Sequence, residues 1–124
     1  MTGRGWPVDE LSLLGRTGEI AISSRRADGS DSPWWPIWVV RVGDDVYVRS
    51  TDGPDKIWFR NALRRRRGRI RAGDTVIESV FVDHQDGPQE NITAAYRAKY
   101  RASSPWSLNR ASTSTSTIKV LPAP

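Results

Sequence analysis

Two hairpin signals in the middle of the chain restrict its folding choices more than any other feature. Ile37 to Val42 is a run of β-branched and aromatic residues, Gly43-Asp44-Asp45 is a turn, and Val46 to Ser50 is a second such run. Short β-rich runs on either side of a Gly/Asp turn pair as an antiparallel hairpin. The pattern recurs at Arg69 to Ala72, the Gly73-Asp74 turn and Thr75 to Val82. In this second hairpin Val76, Val80 and Val82 are expected to share the buried face, with Glu78 interrupting it. Glu19 to Ser24 alternates with Ile20 and Ile22 on one side, and 114–121 alternates through Ile118 and Val120 behind a Ser/Thr stretch, so both are expected strands.

Helical spacing is found in three places. Val8, Leu11 and Leu14 lie in an N-terminal lead-in, 1–18. Ile57 to Arg67 has helix-forming composition, with Trp58, Ala62 and Leu63 on one face, and Gly68 is expected to end it. Asn91 is expected to cap Ile92 to Arg101, where Ile92, Ala95, Tyr96, Lys99 and Tyr100 recur at helical intervals. The segments 25–36, 51–55, 83–89 and 103–117 read as loops. Five or six strands, mostly in hairpins, with two or three short helices, make one mainly β domain over 1–124. The expected architecture is a small antiparallel barrel with helices at its ends.

Residue types then narrow the chemistry. The 124 residues include no cysteine and one histidine, so no disulfide framework, thiolate nucleophile or all-protein zinc site is expected. No apolar run approaches the ~20 residues of a membrane span. Met1 to Pro7 lacks the apolar core of a signal peptide, so a cytoplasmic protein is expected. His84 lies in the polar loop Asp83-His84-Gln85-Asp86, where a solvated side chain is the simplest reading, and no G-x-S-x-G elbow marks a nucleophile. Asp44 and Asp45 are turn residues for local backbone reasons.

The formal charge of +5 is unevenly placed. Sixteen of the 19 basic residues are arginine, a bias that GC-rich coding explains first and oxyanion binding second. Arg60, Arg64 to Arg67, Arg69 and Arg71 fall within twelve positions, so the positive charge belongs to the middle of the chain. Such a cluster is an electrostatic footprint for phosphate, with nucleic acid the lesser share of that reading. Six tryptophans stand at 6, 34, 35, 38, 58 and 106. Trp38 and Trp58 are candidates for the core, whereas Trp34 and Trp35, in a polar loop, suit a pocket mouth or subunit interface.

One stretch combines these elements. A strand ends in Arg49-Ser50, a loop containing Gly53 follows, and a helix opens with Trp58, Arg60 and Asn61. Loop and helix-start N–H groups, with donors from Arg49, Ser50 and Arg60, form an anion cradle.

That stretch resembles the flavin-binding split-barrel superfamily, in particular its deazaflavin-dependent nitroreductase-like branch. There a strand ending in Ser precedes a Gly loop, an aromatic-x-x-Asn helix start and a further strand; here the positions read Ser50, Gly53, Trp58, Asn61 and Arg69 to Ala72. Ser23 to Arg26 with Gly29 resemble the branch's first-strand segment, although its first glycine is missing and the Arg-Asp-Gly order differs. More closely, residues 6–122 resemble bacterial proteins grouped as domain of unknown function 2255. The shared marks are V-R-V-G-D-x-x-Y-V-R-S at Val40 to Ser50, W-x-R at Trp58 to Arg60, A-Y-R-x-K-Y at Ala95 to Tyr100, and T-I-K-V-L-P at Thr117 to Pro122.

The resemblance implies a six-stranded split barrel of the type that binds flavin mononucleotide (FMN) or a deazaflavin. It implies an oxidoreductase in which the cofactor carries the hydride and the substrate is a small hydrophobic molecule. Arg49, Ser50, Arg60 and Asn61 would hold the phosphate around the Gly53 loop, Arg25 and Arg26 would reach the same tail, and Trp58 would lie beneath it. Trp34, Trp35 and Trp106, with Trp38 and Tyr47, would line the substrate pocket. A homodimer is implied, and no metal. Two alternatives stand beside this expectation: a cofactor-free split barrel that binds or tailors an apolar metabolite, for instance by cyclising it, and a nucleic-acid-binding module built on 60–71.

Overall fold

Six antiparallel strands close into a barrel in the order β1-β2-β3-β6-β5-β4 in the computed structural model, which describes residues 5–124. The strands are β1 (Glu19–Ser24), β2 (Trp35–Val42), β3 (Asp45–Arg49), β4 (Arg67–Ala72), β5 (Thr75–Asp83) and β6 (Thr117–Pro122). Four helices accompany them: α1 (Val8–Arg16), α2 (Ile57–Arg65), α3 (Glu90–Lys99) and α4 (Pro105–Thr113). Both expected hairpins are present, β2–β3 pairing Val40 with Tyr47 and β4–β5 pairing Ile70 with Ile77.

Alternation along each strand divides the side chains between two cores. Ile20, Ile22, Val39, Val48, Ile70 and Val120 point inward with their strand neighbours, joined by Phe59 and Ala62 of α2 and Leu11 and Leu14 of α1. On the outside of β2 and β3, Val40 and Tyr47 are covered by Ile92, Tyr96 and Tyr100 from α3 and Ala111 from α4. Trp38 lies flat on Tyr100, ring centres 4.1 Å apart and planes within 2°. Trp6 is also buried, its indole N–H donating to the Val120 carbonyl at 3.0 Å.

Several expectations are corrected. The inward face of β5 is Ile77, Ser79 and Phe81, whereas Val76 and Val82 are exposed at 48% and 40%. Gly68 lies inside β4 and does not end α2. The helix ends two residues earlier on Arg66, which takes the left-handed conformation (φ 62) usually given to glycine. Gly68 is needed for a different reason. It pairs with Ser24 and Ser79, and any side chain there would run into the Ser23 carbonyl and the Phe81 ring. The segment 103–117 is not one loop, because Ser104 caps the N-H of Ser107 and Pro105 opens α4 at its first turn. The cap of α3 is Gln89 in place of Asn91.

A layer of hydrogen bonds joins α1 and α3 to β2. Lys99 donates to the Leu14 and Val39 carbonyls at 3.0 and 2.7 Å, and the Tyr100 hydroxyl meets Gly18 O, Val39 O and Val39 N at 2.6, 2.8 and 3.0 Å. Burial lowers the Lys99 ammonium from its ordinary 10.5 to about 8. Burial raises the Tyr100 hydroxyl from 10.0 to about 12.

Two predictions follow from this packing. Gly68→Ala sets a Cβ within 2.8 Å of Ser24 Cα and 2.9 Å of Phe81 Cε2, so it is expected to cost at least about 2–3 kcal/mol in urea unfolding. The second concerns pH. Between about 8 and 10.5 the unfolded chain holds the Lys99 proton and the folded chain has released it, so stability rises with pH there. Above 10.0 the unfolded chain loses the Tyr100 proton while the folded chain keeps it to about 12, so stability falls. Melting temperature should therefore climb from pH 8 to 10 and then drop, and Lys99→Met should remove the climb.

Candidate functional site

Arg49 is the last residue of β3 and points outward, under α3 and α4, with 2% of its surface exposed. Its five N–H groups meet five acceptors. Nε donates to Thr117 Oγ1 at 3.2 Å, Nη1 to the Ala111 and Ser112 carbonyls at 3.1 and 3.3 Å, and Nη2 to Gln89 O and Oε1 at 3.3 and 2.8 Å. The guanidinium also lies over the Tyr96 ring, 5.3 Å from its centre. Burial lowers its pKa from the usual value. Two of the acceptors are carbonyls of the last turn of α4, which carry partial negative charge and no intrahelical partner. Arg49 therefore fixes α3 and α4 to the barrel. The expectation that it donates to a phosphate is corrected, since every donor it owns is already in use.

Its neighbour Ser50 closes the following turn, Oγ donating to Gly53 O at 2.6 Å while Gly53 N donates back to Ser50 O at 3.2 Å. Gly53 has φ 93, a conformation that explains the glycine and makes its role one of shaping the loop. Beyond this loop two clefts open side by side.

The first cleft, of 330 Å³, is lined by Trp35, Trp38, Trp58 and Trp106, with Arg49 and Ser50 at one end and Glu19, Asp52 and Arg110 at its edges. Arg110 forms an ion pair with Asp52 and lies 4.5 Å from the centre of the Trp106 ring, so it holds the loop after β3 against α4. Trp106 is 68% exposed.

The second cleft, of 430 Å³, shares Trp35 and Trp58 with the first and is lined further by Arg26, Ser32, Lys56, Asn61 and Arg65. It has three cationic side chains and no carboxylate in its lining. Trp58, Asn61 and Arg65 sit at i, i+3 and i+7 of α2, on one helix face. Arg65 Nη1 donates to Ser24 Oγ at 3.1 Å, and Arg26 Nη1 donates to Asp31 O at 2.9 Å. Asn61 Oδ1 accepts from Arg64 at 2.7 Å, which leaves its amide N–H groups free for a ligand among the described residues. Lys56 lies 3.8 Å from Asp52.

The structure thus brings Arg49, Ser50, Trp58, Asn61, Arg26, Trp35, Trp38 and Trp106 of the expected set to the two clefts. The others lie elsewhere. Arg25 is held by Asp31 and Glu78 at 3.0 and 2.7 Å, away from both clefts. Arg60 is exposed and lines neither. Trp34 stacks against Arg69 and Arg71, 4.5 and 4.6 Å from its ring centre. Tyr47 is buried in the outer core, its ring 4.9 Å from that of His84. His84 in turn bonds its own loop through Nε2 and Pro88 O at 3.2 Å. Sequence reading missed Lys56, Arg65 and Arg110. The helical spacing from Trp58 would have found Arg65, whereas Arg110 lay in a segment read as loop. Among the described residues no group of His, Cys, Asp and Glu is placed to hold a metal ion, and no helix is long and apolar enough to cross a membrane.

Residues 10–121 match the family model described as "Uncharacterized protein conserved in bacteria (DUF2255)". No curated protein matches the chain. Three solved structures share the fold. The conserved hypothetical protein Rv2991 from Mycobacterium tuberculosis is 11% identical with a TM-score of 0.57, over 97% of this chain and 83% of that one. Atu2129 from Agrobacterium tumefaciens, of unknown function, is 14% identical with a TM-score of 0.55, over 98% of this chain and 56% of that one. An FAD and heme binding protein from Mycobacterium smegmatis is 14% identical with a TM-score of 0.51, over 94% of this chain and 65% of that one. The chain spans less than two thirds of the length of the last two. The likeness lies in the fold, the closed six-stranded antiparallel barrel with four short helices.

Removing the Arg49 guanidinium leaves the Ala111 carbonyl without a donor, while Ser112 O, Gln89 O and Gln89 Oε1 keep those from Thr93 Oγ1, Thr93 N and Thr117 Oγ1. Arg49→Met is expected to cost roughly 1–3 kcal/mol in urea unfolding, and Arg49→Lys, with three donors for five acceptors, to fall between Met and the parent.

Proposed function

Since this chain belongs to the uncharacterised bacterial family DUF2255, we propose its function from the geometry of the two clefts. It is a cofactor-binding split barrel that takes a flat aromatic ring carrying a phosphorylated tail, FMN or a deazaflavin. It acts as an oxidoreductase on a small hydrophobic molecule. The observation that carries this reading is the shared wall. Trp35 and Trp58 border both clefts; the second adds Arg26, Lys56 and Arg65 with no carboxylate in its lining, whereas the arginines of the first, Arg49 and Arg110, are engaged by internal partners. A ring can rest against the indoles while its tail reaches Arg26, Lys56, Asn61 and Arg65. Both clefts fall within the size range of small-molecule sites. The likeness in fold to a flavin- and heme-binding protein supports the same ligand class.

When bound, such a cofactor supplies the hydride chemistry. The chain's own residues bind and orient. Arg26 and Arg65 offer forked donors to phosphate oxygens, and Lys56 adds a point charge beside the first turn of α2, which has no side-chain cap. Trp38 and Trp106 extend the apolar wall of the first cleft and shield a substrate there from water. The Arg110–Asp52 ion pair fixes that wall in place. Glu19, at the edge of the cleft, is a carboxylate able to exchange a proton with a substrate.

A second reading, a cofactor-free protein that binds an apolar metabolite in the first cleft, is favoured by one observation. Arg25 and Arg49, two of the cations expected at the phosphate, are committed to internal partners.

Titrating the protein with FMN and with riboflavin, and following tryptophan emission, separates the two. The first reading expects quenching by both, with FMN binding at least about tenfold more tightly, a difference worth ~1.4 kcal/mol. Arg26→Ala combined with Arg65→Ala should abolish that preference, and Arg60→Ala should leave it intact. Equal affinity for FMN and riboflavin, or no quenching by FMN or a deazaflavin, would overturn it.

A further inference from the structure

We infer that the outer face of β4 binds the phosphodiester backbone of single-stranded nucleic acid. Around the ring of strands β4 stands three places from β3 in either direction, so this face points away from α3 and α4. Alternation places Arg67, Arg69 and Arg71 on the outside of β4, with Ile70 and Ala72 in the core. Alternate residues of a strand are about 6.6–6.8 Å apart, close to the interval between successive phosphates of one extended strand. Arg66 is exposed where the chain enters β4, and Arg60 and Arg64 are exposed one helical turn apart on α2 just before it.

The charge is segregated to this region. Residues 60–71 hold seven arginines and no acid, and removing those seven charges from the formal +5 leaves −2 on the rest of the chain. Of the carboxylates near the patch, Asp31 is engaged with Arg25 and Arg69, at 3.0 and 3.5 Å, and Glu78 with Arg25 at 2.7 Å, while Glu19 lines the groove beside Trp34. Among the described residues Arg60, Arg64, Arg66, Arg67 and Arg71 make no ion pair. Guanidinium forks left to water are available for bidentate contact with phosphate.

Trp34 supplies the second element. Its ring lies against the Arg69 and Arg71 guanidinium groups and borders a shallow groove with Glu19, Ala21, Pro36 and Arg71. An unpaired base can extend that stack. A positive strip with an aromatic platform holds single strands without reading their sequence, and a duplex, whose base faces are hidden, gains only the charge contacts. Arg60, Arg66, Arg67, Arg69 and Arg71 line neither cleft, and the groove beside Trp34 meets the first cleft only at Glu19 and Pro36.

The test is fluorescence anisotropy of the full chain with a labelled oligothymidylate of about 16 nucleotides, the upper site size of a single-strand-binding module, across a range of salt. Log affinity should fall linearly with log salt, by about 0.7 per phosphate contacted. Arg67→Gln with Arg71→Gln should lower that slope by about 1.4, and Arg67→Lys with Arg71→Lys should keep it. Trp34→Leu should weaken binding about tenfold with the slope unchanged. Arg97→Gln with Arg101→Gln removes the same charge from the α3 side and should leave the slope as it was. Melting curves of each variant confirm that these exposed substitutions fold. The proposal is overturned if the α3-side variant loses as much slope, if a duplex of the same length binds as tightly, or if phosphatidylglycerol vesicles compete more strongly than the oligonucleotide.

Discussion

The buried guanidinium of Arg49 is the interaction on which the outer half of the molecule depends. The barrel fills its interior from the strands with α1 and α2. It has no comparable reason to hold two more helices against the outside of β2 and β3. Arg49 supplies one, because it leaves the end of β3 and terminates on α4 carbonyls, on Gln89 at the start of α3 and on Thr117 of β6. A charge buried without a carboxylate is tolerated only when all its donors are satisfied, and that condition is met in one arrangement of these four elements. The cost of removing it from water is thus turned into specificity for a single docking of α3 and α4.

The consequence reaches the first cleft. Trp106 at the start of α4 and Arg110 in its last turn, next to the carbonyls that Arg49 holds, both line that cleft. Asp52, two residues beyond Ser50, closes the circuit by pairing with Arg110. The aromatic wall is therefore set through the last turn of α4, held by a buried cation on β3 and by an ion pair to the loop that follows β3. Trp38 is held in a similar manner, flat against Tyr100, whose hydroxyl is bound to the backbone of β2.

The barrel was legible in the sequence because its strands alternate and its turns carry Gly and Asp. What escaped was decided by partners far along the chain. β5 presents three valines on one parity and Ile77, Ser79 and Phe81 on the other, and counting apolar residues favours the valines. The choice falls the other way because Ser79 faces Gly68 and Phe81 faces Val120, where a small partner and a large one complete a layer of the interior. α4 has few apolar residues, and only its Ser104-Pro105 start marked it. The arginines posed the hardest case. Arg25, Arg26 and Arg49 look alike in sequence, yet one is held by carboxylates, one reaches a cleft and one is consumed by carbonyls. Strand parity gave the direction of Arg49, but α3 and α4, which cover it, arrive forty and more residues later.

Arginine and tryptophan, the two residue types that stand out in this composition, acquire distinct roles through the same asymmetry. Helices α1 and α3 load the β2 side of the barrel, so there arginine and tryptophan are buried and paired: Arg49 over Tyr96, Trp38 on Tyr100. At the seam where α2 and α4 approach the loop after β3, indoles are half-covered and cations line a hollow. On the bare β4 side they meet each other, Trp34 against Arg69 and Arg71, with water as the remaining neighbour. A uniformly basic coat would have spread its charge over every strand. Here the cations concentrate where no helix can use them, and the seam between the covered and uncovered sides is where a ligand finds aromatic surface and positive charge together.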